Sequence, residues 1–172
     1  MAKVGLFYGT QTGNTQDIAE TIQEELGGDG VVDLYDMAED PEVSDFEKYD
    51  CIIVGCPTWD IGGLQPDWEA FYEGDLENID FNGKKVAYFG PGDQQGYADN
   101  FQDAIGIIEE KITELGGTTV GQWPTDGYEH NESKAVKNGK FVGLAIDEDN
   151  QAELTEERVK TWVAQIKQEF GL

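Results

Sequence analysis

Short apolar segments alternate with segments of helical periodicity along this chain. The apolar segments are Lys3–Tyr8, Val31–Tyr35, Cys51–Gly55, Lys85–Gly90, and Thr118–Gln122 together with Phe141–Ala145. The helical segments are Asn14–Leu26, Pro66–Tyr72, Ala98–Leu115 and Thr155–Phe170. Strands separated by helices predict an α/β fold with a parallel sheet, since a helical crossover is the usual connection between parallel strands.

The predicted strands are apolar throughout rather than alternating. Ile52–Val54 and Val86–Phe89 contain no polar position that could face water, apart from the hydroxyl of Tyr88. Such strands are typical of a sheet covered by helices on both faces. We therefore predict one domain, residues 1–172, with a three-layer, doubly wound, five-stranded parallel sheet in the order 2-1-3-4-5.

The fifth strand is predicted to be split by an insertion. Residues 123–140 are too polar and too rich in turn residues to form part of the core. A loop of this length in a compact domain usually has a role or a structure of its own. The sequence does not indicate what that role is.

The charge balance narrows the classes of partner. The chain has 172 residues, of which 11 are basic and 36 acidic, and its formal net charge is −25. Such a charge argues against binding to nucleic acid or to an anionic membrane surface. It serves either solubility or the electrostatic attraction of basic partners. With no apolar run of 18 residues and no leader-like start, we expect no membrane insertion and a cytoplasmic location.

The two cysteines and the single histidine do not suggest a catalytic or metal site. Cys51 and Cys56 lie about 16 Å apart on an extended strand, too far for a disulfide, and on opposite faces. His130 lies in a polar stretch without a sequence pattern that pairs it with a nucleophile. We expect the cysteines to be small core residues.

A Gly/Thr-rich turn follows the first predicted strand. Its residues Gly9 to Thr15 read Gly-Thr-Gln-Thr-Gly-Asn-Thr and lead directly into a helix. A helix N-terminus offers free N–H groups and a favourable dipole to an anion, and the threonine hydroxyls are further donors. The turn lacks the Gly-Lys-Ser/Thr ending of a P-loop and the three-glycine spacing of a dinucleotide-binding turn. It is either a site for one phosphomonoester or an ordinary capped turn.

Two further loops are predicted to lie beside this turn, at the carboxyl edge of the sheet. The loop after the third strand contains Pro57-Thr58-Trp59-Asp60-Ile61-Gly62, and the loop after the fourth contains Gly92-Asp93 and Tyr97. A large aromatic side chain on a glycine-rich loop is typical of one that covers something apolar. Trp59 and Tyr97 could enclose a flat ring, or each could pack on its own domain.

Over essentially the whole chain, these motifs resemble the flavodoxins, the small FMN-binding electron carriers. The segments that match are Thr-Gln-Thr-Gly-Asn-Thr from Thr10, Pro-Thr-Trp-Asp-Ile-Gly from Pro57, and Gly-Asp-Gln-Gln-Gly-Tyr-Ala-Asp-Asn-Phe from Gly92. The length and the split fifth strand are similar to the long-chain subgroup of cyanobacteria and algae. Two positions differ from the common pattern: Asp60 replaces a frequent Asn, and Pro91, which has no N–H, replaces a small residue.

The resemblance implies a cofactor, FMN, and a set of residues that bind it. The phosphate would be bound by Thr10, Gln11, Thr12, Gly13, Asn14 and Thr15. One side of the ring would be lined by Pro57, Thr58, Trp59, Asp60, Ile61 and Gly62, and Tyr97 would stack on the other. Asp93, Asn100 and Gln102 would meet the pyrimidine edge, largely through backbone groups, and Asp149 would lie near the ribityl chain. Gly92 and Phe101 would also bind the cofactor.

The function implied by the resemblance is low-potential, one-electron transport between redox proteins by a monomer without catalytic residues or metal. Family members imply photosystem I as donor and ferredoxin–NADP reductase as acceptor, in place of ferredoxin under iron limitation, in the cytoplasm or in the plastid stroma of an alga. The alternative is an FMN-dependent NAD(P)H or quinone reductase on the same fold. A phospho-acceptor signalling domain is disfavoured because no lysine follows a predicted strand at the expected edge.

Overall fold

The computed structural model describes residues 3–59 and 62–172 and contains a central parallel sheet. The elements follow one another as β1 (Val4–Tyr8), α1 (Asn14–Leu26), β2 (Val32–Asp36), α2 (Val43–Glu47), β3 (Cys51–Gly55), β4 (Thr58–Trp59), β5 (Gly63–Leu64), α3 (Pro66–Glu73), β6 (Lys85–Pro91), α4 (Asp103–Glu114), β7 (Thr118–Thr119), β8 (Trp123–Pro124), β9 (Val136–Lys137), β10 (Lys140–Phe141), β11 (Leu144–Ile146) and α5 (Thr155–Phe170). Short 3-10 helices cover Met37–Glu39, Leu76–Asn78 and Ala152–Leu154.

The sheet has the strand order β11-β6-β3-β1-β2, and β7 pairs with the first part of β6. All of these pairs are parallel, so the predicted order 2-1-3-4-5 is confirmed, as is the split of the fifth strand into β7 and β11. Every residue of β1 is buried, as expected for a strand covered on both faces. The predicted α/β fold is therefore confirmed.

Aromatic residues fill much of the space between the sheet and the helices α2 and α3. Phe7 of β1 stacks on Phe46, with ring centroids 3.7 Å apart, and Phe46 stacks on Phe71 at 5.0 Å. Trp68 is fully buried beside them and donates its indole N–H to the carbonyl of Gly55 at 2.9 Å. This core fixes the carboxyl ends of β1 and β3, where the loops of interest begin.

The predicted helix Ala98–Leu115 begins later than the sequence pattern suggested. Residues 98–102 form turns, and α4 begins only at Asp103. Gln102 has φ +64°, a left-handed conformation that cannot be continued as a right-handed helix. The helices predicted at Asn14–Leu26 and Thr155–Phe170 have the predicted bounds.

The insertion has a small sheet of its own, in the order β8-β10-β9. Phe141, predicted to belong to the fifth central strand, lies in this sheet opposite Trp123. The chain then passes Gly143, where a side chain would collide with the backbone of Tyr88, and joins β6 only at Leu144. The central strand is therefore shorter at this end than predicted.

Candidate functional site

A cavity of about 310 Å³ opens at the carboxyl ends of β1, β3 and β6. It is lined by Gln11, Thr12, Asn14, Thr15, Pro57, Thr58, Trp59, Pro91, Gly92, Asp93, Tyr97, Glu148 and Asp149. The three loops that the sequence predicted to converge do so here, together with the turn that follows β11. Asp60 and Ile61 lie outside the described residues.

The turn before α1 is shaped to expose donors. The Thr10 hydroxyl accepts a hydrogen bond from the N–H of Gly13 at 3.0 Å, and Gly13 has φ +92°, which favours glycine. The helix begins at Asn14, so the N–H groups of its first turn lie at the cavity, where Asn14 and Thr15 contribute to the lining. Such a turn offers neutral donors and a helix dipole to an anion.

A buried glutamine attaches this turn to the neighbouring helix. Gln65, fully buried just before α3, donates its Nε2 hydrogen to Oε1 of Gln11 at 3.0 Å and accepts the N–H of Trp68 at 3.1 Å. A side chain at Gly9 would overlap Gln65, so the turn can approach this closely only with glycine there. The donor turn is thus held in position by the core.

Trp59 lies in a pair of short antiparallel strands that the sequence pattern did not predict. β4 and β5 pair antiparallel, with Trp59 opposite Gly63. The hydroxyl of Thr58 accepts the N–H of Ala104 at 3.1 Å, which joins this pair of strands to the start of α4. Trp59 is half-buried and faces the cavity.

Tyr97 lines the cavity from the loop after β6. It is 49% exposed, and it is the one large hydrophobic side chain recorded as exposed within residues 3–59 and 62–172. An aromatic ring left half in water beside a cavity is the arrangement expected of a residue that packs on a ligand. Trp59 and Tyr97 thus border one cavity, and their enclosure of a flat ring stays a prediction.

Carboxylates form one wall of the cavity. Hydrogen bonds from the N–H groups of Gly96 and Gln95 and from Asn150 lower the pKa of Asp93, outweighing its partial burial. Burial, together with the charges of Asp93 and Asp147, raises the pKa of Asp149. The wall is therefore negative, and a ligand that gains negative charge here would be destabilised.

Oxygens of Asp93, Asp147 and Asp149 lie within 4.8 Å of one another. Asp147 is fully buried, and both of its oxygens accept hydrogen bonds, from Gln94 on one side and from Asn150 on both. N–H donors therefore already satisfy the central carboxylate of this group.

Three of the residues predicted after β6 have side chains that do not line the cavity. Phe101 is buried in an aromatic cluster with Tyr128 and Phe141, at centroid distances of 5.7 Å. Gln102 is buried and donates to the carbonyl of Gly90 at 2.8 Å, while Asn100 donates to Asp103 at 3.2 Å. Their predicted contacts, largely through backbone groups, stay a prediction.

Thr10, Gly13 and Gly62 were also predicted as site residues. They do not line the cavity but determine the conformation of its loops. Gly62 has φ +86°, and a side chain there would meet Asp103. Pro91 and Glu148, by contrast, line the cavity but were not predicted as site residues. Pro91 ends β6 and Glu148 lies two residues after the end of β11, so the rule that ligands bind at the carboxyl ends of parallel strands could have found both.

The two cysteines and the single histidine do not line the cavity. Cys51 and Cys56 are free thiols, and burial raises the pKa of both, that of Cys56 to about 12. His130 packs against Phe101 and Phe141, and its partial burial lowers its pKa.

No helix in the described part of the chain is both long and apolar enough to cross a membrane.

Comparison with known proteins identifies the family. The flavodoxin family model matches residues 6–162. The chain belongs to the flavodoxin family. It is 71% identical to the flavodoxin of Synechocystis sp. over 167 residues, covering 97% of each chain, and 51% identical to flavodoxin 1 of Escherichia coli over 173 residues, covering 100% of this chain and 97% of that one. The resemblance inferred from the three loops is confirmed.

Solved flavodoxin structures share the fold over almost the whole chain. The crystal structure of Fusobacterium nucleatum flavodoxin bound to flavin mononucleotide has a TM-score of 0.91 and 34% identity, and the match covers 98% of this chain and 99% of that one. The crystal structure of oxidised flavodoxin 2 from Bacillus cereus has a TM-score of 0.75 and 31% identity, covering 98% and 100%.

Proposed function

We propose that this chain binds FMN non-covalently and transports single electrons between redox proteins. The observation on which this rests is the cavity itself, where a donor turn without cations and two aromatic side chains line the same space. A phosphomonoester suits the turn and a flat ring suits Trp59 and Tyr97, so the donor set fits FMN. The FMN-bound Fusobacterium relative, alike over almost the whole chain, supports the same ligand.

Each part of the cavity has a task in this proposal. The turn of residues 10–15 binds the phosphate through N–H groups and hydroxyls, and Trp59 and Tyr97 cover the ring and exclude water. Residues 57, 58, 92, 93 and 149 complete the lining, and residues 60–62 and 100–102 contribute backbone groups. The flavin supplies the redox chemistry, while the protein supplies binding, orientation and the electrostatic environment.

The acidic surface supports partners with basic docking surfaces. At a net charge of −25 the protein attracts cationic surfaces over about one Debye length, ~8 Å at physiological ionic strength. We propose that photosystem I is the donor and ferredoxin–NADP reductase the acceptor, in place of ferredoxin when iron is scarce, and that the protein acts as a cytoplasmic monomer. The identity to cyanobacterial flavodoxins supports this assignment.

The visible spectrum of the purified protein tests the proposal most directly. We expect flavin absorption that remains with the protein through gel filtration, and no NADPH oxidation by the holoprotein alone. A colourless protein that does not take up added FMN would refute the cofactor. Rapid NADPH oxidation without a partner would instead favour the reductase.

Neutralising the acidic wall should raise the reduction potential of the step that places negative charge on bound flavin. For a carboxylate about 10 Å away we expect roughly 20–70 mV for Glu148→Gln or Asp149→Asn. Because burial and the charges of Asp93 and Asp147 raise the pKa of Asp149, its carboxyl takes up a proton at a higher pH than an ordinary aspartic acid, and the effect of Asp149→Asn should shrink as the pH is lowered through that pKa. Potentiometric titration of both variants measures this effect.

The matched control is Glu153→Gln, an exposed carboxylate in the 3-10 helix before α5 that does not line the cavity. It removes the same charge from the surface. If its shift equals those of the two wall variants, the potential depends on net charge rather than on this wall.

Electron transfer with a basic partner should depend on salt. Raising the ionic strength to about 1 M shortens the Debye length to ~3 Å, so the second-order rate constant should fall. Stopped-flow mixing with ferredoxin–NADP reductase across a salt series measures it. A rate constant that is independent of salt would leave the acidic surface with a role in solubility only.

A further inference from the structure

Gln94 is a buried glutamine in the irregular loop between β6 and α4. It is only 2% exposed, although its neighbour Gln95 is exposed. Its Nε2 donates to Oδ2 of Asp147 at 2.7 Å, and its own N–H donates to the same oxygen at 3.2 Å. Its Oε1 accepts the N–H of Glu129 at 2.5 Å. One carboxamide therefore joins the loop, the end of β11 and the insertion.

The orientation of this carboxamide is fixed by its partners. Asp147 is fully buried and can only accept when ionised, so it needs the NH₂ end of Gln94. The N–H of Glu129 can only donate, so it needs the oxygen end. The other oxygen of Asp147 accepts the N–H groups of Asp149 and Asn150, at 3.1 Å and 3.0 Å. No other residue type of this size meets both demands, apart from a protonated glutamic acid.

The loop held in this way carries two residues of the cavity. Asp93 precedes Gln94, and Tyr97 follows three residues later, donating its N–H to the carbonyl of Asp93 at 3.0 Å. The insertion also binds the loop just after Tyr97, because the N–H groups of Asn131 and Glu132 donate to the carbonyl of Ala98 at 2.7 Å and 3.0 Å. The loop is thus attached to the insertion on both sides of Tyr97.

The insertion itself stays outside the cavity. Of the described residues, none between 120 and 143 lines it. Resting on the proposed function, we propose that Gln94 is a positioning residue through which the insertion and Asp147 hold the Tyr97 loop in its FMN-binding conformation. The insertion then contributes to cofactor affinity without touching the cofactor. This gives residues 123–140 a role that the sequence alone did not indicate.

Exchanging the hydrogen-bond donor and acceptor between the side chains of residues 94 and 147 tests the proposal. Measured at alkaline pH, where the introduced carboxyl is ionised, Gln94→Glu places a second carboxylate against Asp147, and Asp147→Asn takes away the ionic acceptor. We expect each single variant to bind FMN at least about tenfold more weakly. The double variant Gln94→Glu/Asp147→Asn restores one donor–acceptor pair between the two side chains, and the N–H of Glu129 still finds an oxygen. The N–H of Gln94 and Nδ2 of Asn150, which both donate to Oδ2 of Asp147 in the wild type, lose that acceptor. We therefore expect partial recovery, with the double variant binding FMN at least about threefold more tightly than the single variant Asp147→Asn.

Gln95→Glu is the matched control, since it adds the same charge one residue along on an exposed side chain. FMN and riboflavin titrations followed by flavin fluorescence measure the affinities. The single variants should weaken both ligands by the same factor, because the loop holds the ring and not the phosphate. Bound FMN should also be brighter in them, because Tyr97 no longer covers it. Gln94→Glu binding like Gln95→Glu, or a double variant without recovery, would overturn the proposal.

Amide hydrogen exchange in the FMN-free protein provides a second, independent measurement. We expect Gln94→Asn, which is neutral but too short to reach both partners, to speed exchange at Tyr97 and Glu129 at least about tenfold. Val120, whose N–H donates to the carbonyl of Val86 in the central sheet, should keep its rate. Unchanged exchange at both sites would overturn the proposal. If the wild type bound no FMN, the proposed function would fail, whereas this measurement would still decide whether Gln94 orders the loop.

Discussion

FMN should bind to this protein far more tightly than riboflavin. The two ligands differ by one phosphate, and the turn of residues 10–15 offers it the N–H groups at the start of α1 and the hydroxyls of Thr12 and Thr15. Hydrogen bonds to a charged group contribute about 1.5–3 kcal/mol each. The loss of two such bonds would weaken binding by roughly 10²–10⁴-fold. Parallel fluorescence titrations of the apoprotein measure the difference, and equal dissociation constants would contradict the assignment of the phosphate to this turn.

A single hydroxyl isolates part of this effect. Thr12 is exposed at the cavity, so Thr12→Val should fold normally and weaken FMN binding about tenfold while leaving riboflavin binding nearly unchanged. Thr113→Val makes the same change on the exposed face of α4, away from the cavity, and should alter neither affinity. If Thr12→Val weakened both ligands equally, the Thr12 hydroxyl would act on the ring or on the loop rather than on the phosphate.

The fold could be predicted because local signals and burial agree along most of the chain. After their first residue, β3 and β6 are buried throughout, as is the whole of β1, so neither face of these strands is in contact with water. The helices α1 and α5 show helical periodicity from end to end. In such an alternating pattern the handedness of the crossovers leaves few possible strand orders. The position of the site then follows, since the loops that leave parallel strands meet at one edge.

The parts that could not be predicted depend on contacts between distant residues. Phe101 continues the helical spacing of the apolar residues Ile105 and Ile108 of α4, yet Gln102 adopts φ +64° and its buried side chain donates to the carbonyl of Gly90. The small sheet of the insertion exists because Trp123 meets Phe141 across 18 residues. In the sequence, Gln94 and Gln95 are indistinguishable, and only the meeting of Gln94 with Asp147 and Glu129 separates a buried residue from an exposed one.

Removing either aromatic residue of the cavity should weaken FMN and riboflavin to the same extent, in contrast to the phosphate variants. Stacking of a base on an aromatic side chain contributes about 1–3 kcal/mol, so by analogy Trp59→Ala and Tyr97→Ala should each raise the dissociation constant roughly 5- to 150-fold. The loss at Trp59 should be the larger, because Trp59 is half-buried in a pair of short strands whereas Tyr97 is 49% exposed. Trp59→Phe and Tyr97→Phe keep a ring and should retain most of the affinity.

Flavin fluorescence supplies the independent measurement for these variants. Bound FMN should be almost dark in the wild type, because a ring in contact with Trp59 and Tyr97 is quenched, and brighter in each alanine variant at saturating protein. Tyr72→Ala removes a half-buried tyrosine of α3 that does not line the cavity and should change neither brightness nor affinity. Bright emission from the wild-type complex would mean that the two residues do not enclose the ring. Trp59 and Tyr97 would then be loop aromatics that pack on their own domain, and the cavity would have to hold its ligand through the donor turn alone.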